Sequence, residues 1–410
     1  MGFFWNVTWK SLLVLTVYFF YTPMPSGISN PMRVTLLSAT ARASNHVGSL
    51  VQYLGWGTKV HVRRYLFELA HRRKQDSGNI RSYDTEIADV PVRVYEPVEK
   101  TQHLLPAIVY FHGGAMMFGS ADSYDETTRS IATALDIKVI SVGYRLAPEH
   151  PFPIPLQDCL AVTKDVLLHA EDYEIDVNNV AIAGDSAGGN LAAAVAQKVY
   201  ALSGKEKLPG LKFQGLIYPA LQALNFNLPS HLQNARVLSG VLDREQSLSG
   251  RLQYAFGGFE ADPELVELIL GGELLRKVAE SDKAHLASYV DAANVPAKFK
   301  QRENAKNASY SEGHPVPQKL VKTFTNPSFM PLMKKDLRGL ADTYILTVEF
   351  DILRDEGILY ADRLQQSGVE VTWDHIESGF HGIFSLGESY EAGKEAREKF
   401  VDYARSKFSL

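Results

Sequence analysis

The chain has 410 residues, 45% of them apolar, and a formal net charge of −5. That is enough apolar material for a large core, and the acidic balance excludes a partner such as nucleic acid, whose binding relies on neutralising phosphates. The single cysteine, Cys159, excludes an internal disulfide; with no histidine–cysteine spacing for zinc and no Gly-rich phosphate loop, no metal and no organic cofactor is expected.

Residues 11–21 are apolar apart from a leading serine and one threonine. With Phe3, Phe4, Trp5 and Trp9 the apolar zone reaches about twenty residues, the length that spans a bilayer. A cleaved signal peptide is the competing reading, but the exit Thr22-Pro-Met-Pro-Ser26 offers no small-x-small site. Residues 1–24 are therefore expected to form a signal-anchor helix, its terminal aromatics suited to membrane interfaces.

Residues 25–85 carry a mostly helical pattern and precede the first strands. The clusters Arg63-Arg64, Arg72-Arg73-Lys74 and the lysines of 298–306 read as solvated charged faces in preference to a membrane-facing surface. Strands are expected over 90–96, 105–111, 137–143, 180–183, 213–218, 343–350 and 369–374, with helices between them. This alternation predicts an α/β fold whose mostly parallel sheet is covered on both faces. Cys159 falls on a helical stretch, 156–170, where a buried inert thiol is expected.

The run 105–111 leads into His112-Gly113-Gly114-Ala115. Such a turn can aim backbone N–H groups at a developing oxyanion, together with the N–H of the residue after a nucleophile, here Ala187. The candidate oxyanion-hole segment is thus His112, Gly113, Gly114 and Ala115 with Ala187. Ala115, following the two glycines, can serve if its backbone keeps φ negative, since only its N–H is used.

The strand 180–183 breaks into Gly184-Asp185-Ser186-Ala187-Gly188 and then an Ala-rich helix. Strand, tight turn and helix are what a nucleophile elbow requires: the serine is held in a strained conformation at the sheet edge, and glycine two residues away on either side lets the backbone close. Ser186 is the candidate nucleophile. In this architecture the acid and then the histidine follow. Asp351 comes directly after the run 343–350; Asp355, one helical turn on, fits better as a helix cap or a partner of Arg354. His381 lies in the Gly-flanked loop after 369–374; His375 is the rival base but sits at the strand end without flanking glycines. Residues 221–330 form a long insertion with few strand signals.

Together, His112–Ala115, Tyr144-Arg-Leu-Ala-Pro-Glu-His150, Gly184-Asp-Ser-Ala-Gly-Gly-Asn190, Asp351-Ile-Leu-Arg-Asp-Glu-Gly357 and Gly379-Phe-His-Gly382 resemble the hormone-sensitive-lipase family of α/β-hydrolases, over nearly the whole chain. The resemblance implies an α/β-hydrolase fold over 25–410, a helical cap built from 25–85 and 221–330, and a Ser186–His381–Asp351 triad. It implies cleavage of a small-molecule or lipid ester through an acyl-enzyme. It leaves open an enzyme acting chiefly on amides; a non-catalytic receptor on the same fold is disfavoured because His381 is retained. It further implies a type II protein of the endoplasmic reticulum membrane with its catalytic domain in the lumen. Of the two sequons, Asn6-Val-Thr8 would then be out of reach, leaving Asn307-Ala-Ser309 as the expected glycosylation site, at Asn307.

Overall fold

The computed structural model describes residues 21–22, 24–70, 78–99, 103–206, 208–258, 262–300 and 316–410. The expected anchor falls almost wholly outside these residues, as does Asn307. Among the described residues no helix is long and apolar enough to cross a membrane.

Eight strands form one sheet: β1 (Ile80–Ile87), β2 (Val90–Pro97), β3 (Leu105–Phe111), β4 (Lys138–Val142), β5 (Ile175–Asp185), β6 (Phe213–Ile217), β7 (Asp342–Phe350) and β8 (Val371–Phe380). Their order is β1-β2-β4-β3-β5-β6-β7-β8. From β4 to β8 all neighbours are parallel; β2 runs antiparallel to both β1 and β4. The central strands are buried on both faces, so their sequences are continuous apolar runs rather than alternating ones. In β3, Ala107, Val109 and Phe111 pack into one core with Cys159, Val162 and Leu191, while Ile108 and Tyr110 point the other way, into a core with Ile131, Phe400 and Phe408. The helices Ile154–Leu168 and Ala187–Glu206 therefore line one face of the sheet, and Asp125–Leu135 and Glu391–Phe408 the other.

Three expectations are corrected. Residues 25–85 are not helical throughout: Pro31–Tyr53 and Lys59–Ala70 are helices, but β1 begins at Ile80. It is an edge strand buried only at Ile80 and Ile87, and its polar middle gives no alternation to read; its pairing with β2 along all eight residues makes it a strand. Second, β5 begins five residues before the expected strand, its polar first half carried by Ile175, which aligns with Leu105. Third, β8 runs on to Phe380, through Glu377-Ser378-Gly379, because a register shift near Phe350 of β7 keeps Phe380 opposite Phe350. That extension sets the position of the next residue, His381.

Between β6 and β7 the described regular elements are all helical, including Pro229–Gln233, Arg244–Phe256, Pro263–Gly271, Glu273–Ala279 and Gln318–Phe324.

Candidate active site

Parallel strands deliver their C-terminal ends to one edge, and the loops after β3, β5, β7 and β8 meet there. Ser186 lies between Asp185, the last residue of β5, and Ala187, the first of the following helix, with φ of 56°. An L-residue in this left-handed region is strained by about 1–2 kcal/mol, a cost met only where the surroundings hold the backbone. They do so here. The Ser186 N–H donates to the Ile217 carbonyl at 2.8 Å, and the Ser186 carbonyl accepts the Ala220 N–H at 3.2 Å. A Cβ on Gly184 would come within 2.4 Å of the Gly188 carbonyl group, and one on Gly188 within 1.9 Å of the Phe111 carbonyl oxygen. Glycine is obligatory at both places.

The Ser186 Oγ lies 2.8 Å from His381 Nε2, and His381 Nδ1 lies 2.7 Å from Asp351 Oδ2. Asp351 is fully buried, and its other carboxylate oxygen accepts the Leu353 N–H at 2.8 Å. Asn234, from the helical insertion, donates its side-chain amide to the carbonyls of Glu349 and Asp351 at 2.9 and 3.0 Å, fixing the backbone that carries the acid. The Tyr218 ring packs 4.8 Å from the imidazole. Serine, imidazole and carboxylate thus form one unbroken hydrogen-bonded line, with both imidazole nitrogens engaged.

The rival residues lie elsewhere. Asp355 accepts from Arg354 Nε at 2.9 Å and from the Ser230 N–H at 2.7 Å, so it pairs with its neighbour and ties down the start of Pro229–Gln233. His375 contacts Thr347 Oγ1 through Nδ1 at 2.9 Å and Glu349 through Nε2 at 3.3 Å.

The turn after β3 corrects one expectation and narrows another. Ala115 does not keep φ negative: it sits at 55°, with Gly114 at 109° and Met116 at 57°. The left-handed stretch carries the chain back so that Met117 and Phe118 donate to the Gly114 carbonyl at 2.9 Å each. Alanine has the smallest side chain that can be strained into this region, and its partly buried methyl packs against the core. The Gly113 N–H, in turn, is already committed: it donates to Asp185 Oδ1 at 3.0 Å. The donors left in the turn are Gly114 and Ala115, beside Ala187, whose N–H opens a helix and has no partner within it. His112 anchors the turn from below. Its Nδ1–H donates to the Gly113 carbonyl at 2.7 Å, its ring stacks on Tyr144 at 4.3 Å, and its carbonyl accepts the Tyr144 hydroxyl at 2.7 Å. Burial holds the imidazole pKa down to about 4, so it is neutral.

Two residues escape a reading by motif roles alone. Asp185 is buried and accepts from the Tyr110 and Tyr124 hydroxyls at 3.0 Å each as well as from Gly113. Burial pushes its carboxyl above the usual range, and these donors pull it back toward the charged form. Glu356, also buried, accepts from the Leu221 and Gln222 N–H groups at 2.6 and 3.1 Å, from Arg251 at 2.8 Å and from His231 at 3.2 Å. Burial works to raise its carboxyl; Arg251 and His231 overcome it and leave it below the ordinary value. Both lie inside quoted motifs, next to Ser186 and one turn after Asp351. Buried carboxylates flanking a site need partners, and that was the available signal.

Cys159 is buried on Ile154–Leu168, where desolvation raises its thiol pKa well above the ordinary value. Among the described residues no cluster of histidine, cysteine and carboxylate side chains could hold a metal ion.

Residues 108–289 and 290–385 match a family model described as alpha/beta hydrolase fold. The chain is 34% identical to arylacetamide deacetylase of Oryctolagus cuniculus, covering 96% of each protein. It is 34% identical to neutral cholesterol ester hydrolase 1 of Mus musculus, covering 96% of this chain and 97% of that one. The crystal structure of DphMB1 superposes with a TM-score of 0.62 at 29% identity, over 85% of this chain and 92% of that one.

Proposed function

The chain belongs to the α/β-hydrolase family, in its hormone-sensitive-lipase branch, and is a carboxylic ester hydrolase; on that premise we propose that Ser186, His381 and Asp351 are its catalytic triad. The observation that carries this reading is the continuous line from Ser186 Oγ through both imidazole nitrogens to the buried Asp351. His381 takes the hydroxyl proton as the Ser186 oxygen attacks the acyl carbon, and then returns it to the departing alcohol. Asp351 fixes the imidazole tautomer and stabilises the imidazolium. The N–H groups of Gly114, Ala115 and Ala187 receive the oxyanion, each such donor being worth about 2.7–4 kcal/mol in the transition state. Water repeats the sequence on the acyl-enzyme and releases the acid. The helices Pro31–Tyr53 and Lys59–Ala70, with the helical insertion between β6 and β7, form the cap that shapes the acyl pocket.

The substrate is a lipid or xenobiotic ester. A second reading, amide deacetylation as the main role, is supported by the relative named arylacetamide deacetylase. Assays of purified full-length chain on short-acyl esters, long-acyl glycerides, sterol esters and arylamides, with Ser186→Ala as control, separate the two. Turnover of arylamides above all esters would favour the second, and activity surviving in Ser186→Ala would overturn both. The same proposal includes a signal-anchor over residues 1–24, a lumenal catalytic domain and one N-glycan at Asn307. Endoglycosidase H should shift the wild type and leave Asn307→Gln unmoved; a soluble, unglycosylated cytosolic product would overturn this part.

A further inference from the structure

Helices Pro31–Tyr53 and Lys59–Ala70 are fastened by their inner sides to the loops around the site. Arg64 donates to the carbonyls of Met117 and Ala147, at 2.9 and 3.1 Å, just beyond the Gly113–Ala115 turn. Asn45 donates to the Gly240 carbonyl at 3.2 Å, and the Ser29 N–H to the Ser378 carbonyl at 2.8 Å, three residues before His381. Their outer sides are not what a water-facing surface requires. Met32 and Leu36, then Val47, Leu50 and Leu54 three turns further on, recur at three- and four-residue helical spacings within each group, all exposed, Met32 at 86%. Tyr53 at 87%, the last residue of that helix, and Trp56 at 77% just past it extend this stripe, and Tyr65 stands exposed on the second helix. Of the fifteen large apolar side chains exposed among the described residues, ten lie between Tyr21 and Leu69, so the rest of the surface does not share this character. Scattered exposed apolar residues need no explanation; a contiguous set does.

Charge identifies what covers it. In a chain of net charge −5, no aspartate or glutamate occurs before Glu68. Glu68, on the second helix, accepts from the Ser120 hydroxyl at 2.8 Å, and Glu149 is engaged by Arg64 at 3.1 Å and by His61 at 3.2 Å. The first helix thus brings no carboxylate to desolvate or to repel an anionic headgroup, and the one on the second, Glu68, is held by Ser120. Tyrosine and tryptophan among aliphatic side chains are the residues of a bilayer interface, where an apolar body and a polar tip are both satisfied. The chain also enters here: Thr22 Oγ1 accepts from Arg42 of the first helix at 2.9 Å, directly after the apolar sequence of residues 11–21.

We infer that the outer face of Pro31–Tyr53 and Lys59–Ala70, centred on Leu50, Tyr53, Leu54 and Trp56, docks on the surface of a lipid bilayer. The loops bearing the site are thereby held against the membrane, and a sparingly soluble substrate reaches them from lipid rather than through water. The inference stands separately from the proposed chemistry, because its test reads environment and not turnover. Cys159 is buried, so a cysteine introduced at Tyr53 or Leu50 in the full-length chain takes an environment-sensitive fluorophore selectively. Leu168→Cys, exposed at the far end of Ile154–Leu168, is the control. In vesicles of phosphatidylcholine and phosphatidylserine, the labels at Tyr53→Cys and Leu50→Cys should be blue-shifted, quenched by shallow nitroxide lipids and protected from iodide, while the control stays open to iodide. Labels on this face quenched by iodide and not by nitroxide lipids would overturn the inference. So would labels shielded from both quenchers, which would assign the face to residues 1–20 or to a second copy of the chain.

Discussion

The carboxylate of Asp185 accepts the backbone N–H of Gly113 at 3.0 Å, joining the residue before the nucleophile to the turn that holds two of the three candidate oxyanion donors. The elbow at the end of β5 and the turn after β3 are therefore one unit, clamped by Tyr110 and Tyr124 on the same carboxylate. Transition-state stabilisation depends on donors lying where the oxyanion will form, so a displaced turn costs rate more than binding.

Asp185→Ala is expected to lower kcat on an activated short ester by about 10²–10³, the loss typical of one misplaced oxyanion donor, with KM little altered. Asp185→Asn keeps an acceptor oxygen for Gly113 and should recover most of that loss. Steady-state kinetics beside thermal unfolding distinguishes this from simple destabilisation: a KM effect with kcat intact would contradict the positioning role.

Asp351 and Asp355 lie one helical turn apart, and the geometry gives them different tasks. Asp351→Asn should lower kcat by about 10⁴ by favouring the wrong imidazole tautomer, while circular dichroism stays native. Asp355→Asn, which weakens the contacts to Arg354 and the Ser230 N–H, should instead lower the unfolding midpoint and leave kcat within a few-fold. Reversed results would move the acid to Asp355.

The central strands and the elbow were legible because local chemistry dictates them. Unbroken apolar runs such as 105–111 have no other use in an α/β chain, and only glycine fits at 184 and 188. The choice of Asp351 and His381 over Asp355 and His375 followed from loop position, and the hydrogen-bonded line of the structure joins the first pair. What could not be read is what tertiary pairing decides. β1 is polar along its middle and exists through β2, and the C-terminal half of β8 exists through the shifted register with β7. Ala115 is tolerable in that turn on the condition of a negative φ, because a side chain disfavours the alternative. The turn's contacts with Phe118 outweigh that preference, and the residue is left-handed. The commitment of the Gly113 N–H was invisible because its partner lies 72 residues away.

The Arg251–Glu356–His231 cluster binds the helical insertion to the helix that follows Asp351. Arg251→Met removes one partner and leaves a buried carboxylate undercompensated, a change that typically costs about 3–5 kcal/mol. Urea unfolding should show a loss of that order, and Glu356→Gln combined with Arg251→Met should recover part of it by removing the stranded charge. A double variant no more stable than Arg251→Met would mean that packing of the arginine stem, not charge, is what was lost.

The buried neutral His112 makes folding depend on pH in a definite direction. Its pKa is about 4 in the folded chain, against about 6.5 for an unconstrained histidine. Between these values the unfolded chain takes up a proton that the folded chain refuses, so stability falls as pH falls through this window. The contribution is fully present above pH about 6.5 and has declined by about 3 kcal/mol once pH drops below about 4. His112→Asn cannot titrate. It should be less stable than wild type at pH 7, because the bond to Gly113 and the stacking on Tyr144 are disturbed. Toward pH 4.5 the gap between the two proteins should narrow by about 2 kcal/mol, since only the wild type has lost the histidine's contribution. Urea unfolding of both proteins at the two pH values measures that gap, and one that stays constant would show that His112 does not resist protonation in the fold.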